Sequence, residues 1–148
     1  VDALVNFTGG GVNFRAYSLL SSTINAGNNL SYDTESYDTE NSYDNTTYVY
    51  TIVSGGTYIF NFGWYVISGI TAVINLIRNR GGVETIVQQS TNGTQTNNNT
   101  SFFLTTLTLC ETGDLIYAYV ESGSAKINPF NLASPTNYTS FSGSRISN

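Results

Sequence analysis

The side chains with the clearest chemical potential in this sequence are carboxylates that repeat along one segment. Residues 31–44 contain the near-repeat Ser-Tyr-Asp-Thr-Glu, Ser-Tyr-Asp-Thr-Glu, Ser-Tyr-Asp. The acidic residues are Asp33, Glu35, Asp38, Glu40 and Asp44. Oxygen ligands of this kind suit Ca²⁺, so a calcium site is one hypothesis.

The spacing of these acids does not match a known calcium loop. An EF-hand has a glycine-containing loop with ligands at fixed positions, and the segment lacks both. We therefore favour an edge strand whose charges discourage pairing with another chain, in which Tyr32, Tyr37 and Tyr43 pack against the protein. On this interpretation no cofactor is expected and no metal site is assigned.

Most other catalytic and metal-binding side chains are absent from the sequence. There is no His, and Cys110 is the only Cys. A Cys–His pair, a Ser-His-Asp triad and a zinc site of the Cys/His type are therefore excluded within one chain. An enzyme that uses carboxylates alone needs two suitably separated acids in a cleft, and no such pair is indicated. We predict that the protein is not an enzyme.

Cys110 follows the alternating run Leu107-Thr108-Leu109. It has no partner for an intrachain disulfide. We therefore predict a reduced, buried thiol at the end of a strand, because burial makes a thiol unreactive.

Aromatic residues could instead form a sugar-binding surface, since the chain has 11 Tyr, 8 Phe and one Trp. Trp64 with Tyr65 is the most obvious pair. Trp64, however, continues an alternating series made of Tyr58, Phe60 and Phe62. Such a series is typical of the buried face of a strand, so Trp64 is predicted to lie in the core. Tyr138 and the polar segment 88–100 are better candidates for surface recognition, although their spacing specifies no ligand.

The overall composition predicts one domain with a polar but weakly charged surface. The chain has 148 residues, of which 40% are hydrophobic and 10% charged, with a net charge of −5. That length supports one hydrophobic core. Nucleic acid is excluded as a partner because there are only five basic residues, and no apolar run approaches the roughly 20 residues of a membrane-spanning helix.

The elements that must position these side chains are predicted to be strands. Residues 47–53 are almost all β-branched or aromatic, and the turn Ser54-Gly55-Gly56 predicts a hairpin with the strand at 58–65. Further strands are predicted at 72–80, 83–89, 103–109 and 115–120. Residues 88–100 are predicted to be an exposed loop, and Ser122-Gly123-Ser124 to end a strand. No helix of useful length is indicated, so the fold class is an all-β sandwich or jelly roll.

Several segments follow one another in the order of a known family. They are Val12-Asn13-Phe14-Arg15-Ala16, residues 30–44 with Tyr48-Val49-Tyr50-Thr51, Gly56-Thr57-Tyr58-Ile59-Phe60-Asn61-Phe62, Leu107-Thr108-Leu109 with Gly113-Asp114, and Thr139-Ser140-Phe141-Ser142-Gly143. Together they resemble the globular C1q-like domain. The resemblance implies a ten-stranded antiparallel jelly roll of the C1q and tumour necrosis factor type over residues 12–148.

The resemblance also implies a function. Such domains assemble as homotrimers that recognise or adhere to a protein or glycan ligand, at the tip of a collagen-like or fibrous stalk. We therefore expect an extracellular location, either secreted or displayed on a cell, spore or virion. Residues 1–11, which include Gly9-Gly10-Gly11, are expected to be a flexible linker from that stalk. The alternative is a structural head that trimerises and caps a viral, phage or spore fibre.

A second apolar strand face agrees with a trimer. If Tyr58 and its alternating neighbours face the core, Ile59 and Tyr65 lie on the opposite face and are still apolar. Phe102 and Leu104 are expected to do the same beside core-facing Phe103 and Leu107. A second apolar face needs a partner. We therefore expect Ile59, Tyr65, Phe102 and Leu104 near the three-fold axis.

Overall fold

The computed structural model describes residues 11–67, 69–92, 100–127 and 139–148. Within these ranges the chain forms eleven strands and no helix. The strands are β1 (Asn13–Tyr17), β2 (Ser22–Asn25), β3 (Thr34–Asp38), β4 (Tyr43–Asp44), β5 (Val49–Thr51), β6 (Gly56–Val66), β7 (Ala72–Arg80), β8 (Val83–Asn92), β9 (Thr100–Cys110), β10 (Leu115–Ile127) and β11 (Ser140–Ser147). In the described ranges there is accordingly no helix that could cross a membrane.

The strands form two antiparallel layers. The first layer has the order β3-β1-β11-β6-β9, and the second has the order β4-β5-β10-β7-β8. The long strand β10 joins them, because its first part pairs with β5 and β7 and its last part pairs with β2 and β6. The predicted all-β jelly roll is confirmed. The described ranges contain eleven strands where ten are expected, and the acidic segment contributes two short strands, one to each layer.

The core between the layers is largely aromatic. Tyr58, Phe60, Phe62 and Trp64 are all buried, which confirms the prediction from their alternation. Their rings stack in pairs along β6, with centroids 5.6 Å apart for Tyr58 and Phe60 and also for Phe62 and Trp64. Such ring pairs add about 0.5–1.5 kcal/mol beyond the burial of their area.

The predicted hairpin between residues 47–53 and 58–65 is wrong. β5 pairs with β4 and β10, whereas β6 pairs with β9, β10 and β11, so the chain crosses between layers at 52–55. Ile52 explains the difference. Its backbone N–H donates to the Asp114 carbonyl at 2.8 Å, and its carbonyl accepts from the Gly113 N–H at 2.7 Å. The turn after β9 thus takes the hydrogen bonds that a hairpin would have used.

Two other predicted strand ends are also wrong. Residues 88–92 belong to β8 and not to a loop, because pairing with β7 satisfies their backbone groups; residues 93–99 lie outside the described ranges. Residues 122–124 do not end β10. The strand bulges between Val120 and Ser122, has Gly123 at φ +73°, and then continues into a pairing with β2. A side chain at Gly123 would meet the Thr71 carbonyl, so glycine permits this close approach.

Both ends of the described chain lie at the same end of the sandwich. β1 and β11 pair antiparallel with Asn13 opposite Ser144, and the Arg145 N–H donates to the Val12 carbonyl at 2.8 Å. Tyr17 and Ser140 pair at the opposite end. Residues 1–10, and with them most of the expected linker, lie outside the described ranges.

Gly143 occupies the most crowded position in the aromatic core. A Cβ atom there would lie 2.6 Å from Phe60 Cε1 and 2.7 Å from Phe14 Cε1. Phe14 cannot withdraw easily, because its ring stacks on Tyr50 with a centroid distance of 4.0 Å and meets Phe141 edge-on at 4.9 Å. Glycine at this position therefore lets β11 approach the rings.

We expect the substitution Gly143→Ala to destabilise the protein by about 1–3 kcal/mol, since an added methyl group in a tightly packed core forces rings and backbone apart. Urea unfolding followed by tryptophan fluorescence measures this loss. The neighbouring Ser142→Ala, which changes a half-exposed residue on the other face of β11, should stay within about 0.5 kcal/mol of the parent. Equal stability of both variants would contradict the packing described here.

Candidate functional site

The outer face of β6 and β9 carries the largest group of exposed apolar side chains on one surface of the described chain. In the antiparallel pair, Ile59 lies opposite Leu107, and Gly63 lies opposite Phe103. Directly opposed residues project to the same side, so Phe103, Leu107 and Leu109 share a face with Ile59 and Tyr65. Phe103 is 73% exposed, Leu107 59% and Leu109 64%. We call these five residues the β6–β9 face.

The expected interface residues divide between the two sides of the sheet. Ile59 and Tyr65 are on the outer side and partly exposed. The expected placement of Phe102 and Leu104 on that side is wrong, because the register puts Phe102 opposite Trp64 and Leu104 opposite Phe62. Both therefore pack against the core, and the Phe102 ring stacks on Trp64 at 5.8 Å.

The prediction that Phe103 and Leu107 face the core is wrong, because both side chains are exposed on the outer side of β9. Both faces of this strand carry Phe, Leu and Thr, so alternation alone could not decide between them. The pairing with β6 decides which face of β9 is buried, because the core-facing aromatic residues alternate clearly along β6. A strand paired with β6 through Phe102 and Trp64 must turn Phe103 outward.

The acidic segment does not gather its carboxylates into one site. Asp38 accepts backbone N–H groups of its own turn, and Asp44 accepts the N–H groups of Thr46 and Thr47 and the Thr46 hydroxyl. Hydrogen bonds from Thr46 lower the pKa of Asp44 to about 2. Within the described ranges no group of three or more His, Cys, Asp or Glu side chains is arranged to hold a metal ion.

The edge-strand interpretation agrees with the position of β3, which is the outermost strand of its layer. Tyr32 and Tyr43 are buried as expected. Tyr37 is not, since it is 47% exposed and pairs with Arg15 on the outer side of the sheet.

A partly buried ion pair lies at the end of the sandwich where Val12 and Arg145 meet. The Arg80 guanidinium donates to both Asp114 oxygens, at 2.8 and 2.7 Å, and to Glu111 at 2.6 Å. Asp114 is 1% exposed and also accepts the Glu111 backbone N–H at 2.8 Å. The hydrogen bonds from Arg80 hold the pKa of Asp114 below its usual value. This arrangement fixes the turn between β9 and β10.

Of the remaining sequence-based candidates, Trp64 and Cys110 are buried in the fold, and Tyr138 lies outside the described ranges. Trp64 is fully buried, and its indole N–H donates to Asn92 Oδ1 at 3.2 Å, so it offers no surface to a sugar. Cys110 is a free, buried thiol, as predicted. Tyr138 lies outside the described ranges, as does most of the polar segment named with it.

Comparison with known proteins identifies the fold. The family model of the C1q domain matches residues 14–144. The globular domain of zebrafish complement 1qA protein is similar in structure, with a TM-score of 0.72 at 11% identity over 94% of this chain and 100% of that chain. The Eiger TNF from S. frugiperda has a TM-score of 0.73 at 10% identity, covering 93% and 92%. Murine APRIL at pH 5.0 has a TM-score of 0.72 at 10% identity, covering 93% and 100%. No curated protein matches this sequence.

We expect Asp114→Asn to destabilise the protein by about 1–3 kcal/mol at pH 7, because Arg80 loses a charged, hydrogen-bonded partner. The lowered pKa of Asp114 also predicts a pH effect. Its contribution is present above the unfolded pKa of about 4 and is lost as the pH falls through the lower folded pKa. The free energy of unfolding, measured from pH 7 to pH 2, should therefore fall less steeply with acidification in the variant than in the parent. Glu111→Gln, which removes the exposed partner, should cost at most about 1 kcal/mol.

Cys110 should react slowly with thiol reagents in the native protein. Burial raises the pKa of its thiol to about 12, so almost none is present as the reactive thiolate at pH 8. We expect labelling by a disulfide reagent to be about a hundredfold slower than in denaturant. Rapid labelling of folded protein would contradict the burial.

Proposed function

The chain belongs to the C1q domain family, and from that premise we propose that it is a homotrimeric head domain that recognises a protein or glycan ligand. Domains of this family and of the related tumour necrosis factor fold are in general trimeric recognition modules that lie outside the cell. We therefore also propose an extracellular or surface-displayed location and no enzymatic activity. The β6–β9 face is the observation that carries the proposal.

The β6–β9 face has the composition of a subunit interface. Phe103, Leu107 and Leu109 are each more than half exposed, and Ile59 and Tyr65 extend the apolar surface beside them. Each fully buried side chain of this size contributes about 1.5–3 kcal/mol when it leaves water. Three copies around a common axis can each bury this face. A two-fold dimer that pairs through the same sheet would bury it as well. The proposed number of three subunits therefore rests on the family.

The direction of the chain agrees with a head on a stalk. Val12 and residues 145–148 lie at one end of the sandwich, so a stalk attached before residue 12 would leave the other end free. That free end carries the exposed Leu19 and Leu20. The Ser18 hydroxyl donates to the Leu20 carbonyl at 2.8 Å and holds their turn. We propose that this free end faces the ligand, and that residues 1–11 link the opposite end of the domain to a collagen-like or fibrous stalk.

Replacing Leu107 with Glu should convert the trimer into monomers, because three carboxylates would be brought into an apolar interface. Multi-angle light scattering at micromolar concentration measures the mass directly. We expect about three times the chain mass of 16.1 kDa for the parent and one chain mass for the variant.

The matched control is Ile86→Glu, which introduces the same charge at a residue that is 51% exposed on the second layer. It should remain trimeric. A parent protein that is a stable monomer at micromolar concentration would overturn the proposed assembly.

Ligand recognition is tested with the same pair of variants. A weak ligand contacted by three heads binds far more tightly than one contacted by a single head, by a factor of about 10²–10⁴. Parent and Ile86→Glu protein should therefore bind to a surface array of glycans and extracellular proteins, whereas Leu107→Glu should lose most of the signal. Trimers that bind nothing on a receptor-bearing cell surface would favour the alternative role as a structural cap on a viral, phage or spore fibre.

A further inference from the structure

Two polar side chains interrupt the β6–β9 face. Asn61 lies opposite Thr105 in the paired strands, so both side chains project to the same outer side as the rest of the face. The pair Ile59 and Leu107 precedes them along β6, and Phe103 follows them opposite a glycine. Residues two apart along a strand are separated by roughly 7 Å, so apolar side chains flank the polar pair on both sides.

Asn61 is an unusual residue for its place in the sheet. It lies in the middle of β6, a central strand that pairs at this point with Thr105 of β9 on one side and with Ser142 of β11 on the other. The other residues of β6 are glycine, β-branched or aromatic. Asparagine is disfavoured in strands, so local strand propensity does not explain its presence here.

The Asn61 side chain uses only part of its hydrogen-bonding capacity within the chain. Its Oδ1 accepts the Thr105 hydroxyl at 2.6 Å. Its Nδ2 carries two N–H groups and donates to no side chain or carbonyl in the described ranges. Asn61 is partly exposed in the single chain, so water can accept from this nitrogen there.

Assembly through the β6–β9 face would remove that water. A second copy that covers both Phe103 and Leu107 also covers Thr105, which lies between them on β9, and Asn61 beside it. An N–H group that leaves water without finding a new acceptor opposes assembly. Arrangements in which the Asn61 nitrogen meets an oxygen of the partner subunit are therefore favoured over those in which it meets an apolar side chain.

We infer that Asn61 determines how the subunits align, an inference that rests on the proposed homotrimer. Its Nδ2 donates to the hydroxyl oxygen of Thr105 of the partner subunit, which can accept while it donates to its own asparagine. Each subunit thus supplies one donor and one acceptor, and a closed ring of copies satisfies all of them. A single asparagine in the apolar interface of a coiled coil fixes register and subunit number in the same way.

The first test follows hydrogen exchange of the Asn61 side-chain amide by NMR. Asparagine is labelled with ¹⁵N, and the resonances of Asn61 are those missing from the spectrum of Asn61→Leu. In the parent trimer we expect this amide to exchange with water about tenfold more slowly than that of Asn45, which is exposed in the β4–β5 turn, because buried, hydrogen-bonded N–H groups are protected. In the monomeric Leu107→Glu variant the two amides should exchange at similar rates.

The second test replaces both polar partners with apolar side chains. Asn61→Leu combined with Thr105→Val should still assemble, since neither polar partner is left unpaired, but it should no longer form a single species. We expect native mass spectrometry to show trimers together with dimers or larger assemblies, whereas the parent gives trimers alone. The control is Thr57→Leu, which adds a leucine on the same side of β6 as Ile59 and should remain uniformly trimeric.

The outcomes separate the role of Asn61 from the proposed assembly. A parent protein that is a monomer would overturn the homotrimer and the role of Asn61 with it. A trimeric parent in which the Asn61 amide exchanges as fast as that of Asn45 would overturn the role of Asn61 alone. A double variant that forms the same uniform trimer as the parent would also do so, because the subunits would then align without the hydrogen bond.

Discussion

The pairing of β6 with β9 decides which side chains of the first layer face the core and which face outward. Eleven consecutive residue pairs run from Gly56 with Cys110 to Val66 with Thr100, without a bulge. A shift of one residue would reverse every side chain of β9. Trp64 and Phe102 would then separate, and Phe103 would have to enter a space shaped for its neighbour. The stacked aromatic core therefore fixes the register, and the register in turn exposes the β6–β9 face.

The sequence was sufficient where one strand face is clearly more apolar than the other. The alternation around Tyr58 and Trp64 predicted both a strand and its buried face. Prediction from alternation fails where the strand that decides which face is buried is distant in the sequence. β9 has Phe and Leu on both faces, so only its pairing with β6 assigns Phe102 inward. The crossing after β5 could not be predicted either, because Ile52 bonds to Gly113 and Asp114.

The likeness to the C1q and tumour necrosis factor folds persists at about a tenth sequence identity, so few individual residues are needed to specify it. In this chain the fold rests on a set of physical conditions. Aromatic residues alternate along β6, Gly143 lets β11 approach Phe14 and Phe60, and Arg80 with Asp114 fixes the turn before β10. Ser, Thr and Asn can occupy the surface in place of charges without disturbing these contacts.

The position of Val12 beside Arg145 has a mechanical consequence. A tension applied to the chain at Val12 and resisted at the opposite end would act along the strands. β1 lies between β3 and β11, and its hydrogen bonds run across the strand direction on both sides. Extraction of β1 would then require two rows of bonds to shear together, since neither row could peel open one bond at a time. A head pulled through this end should resist flow or cell movement better than its thermal stability alone suggests.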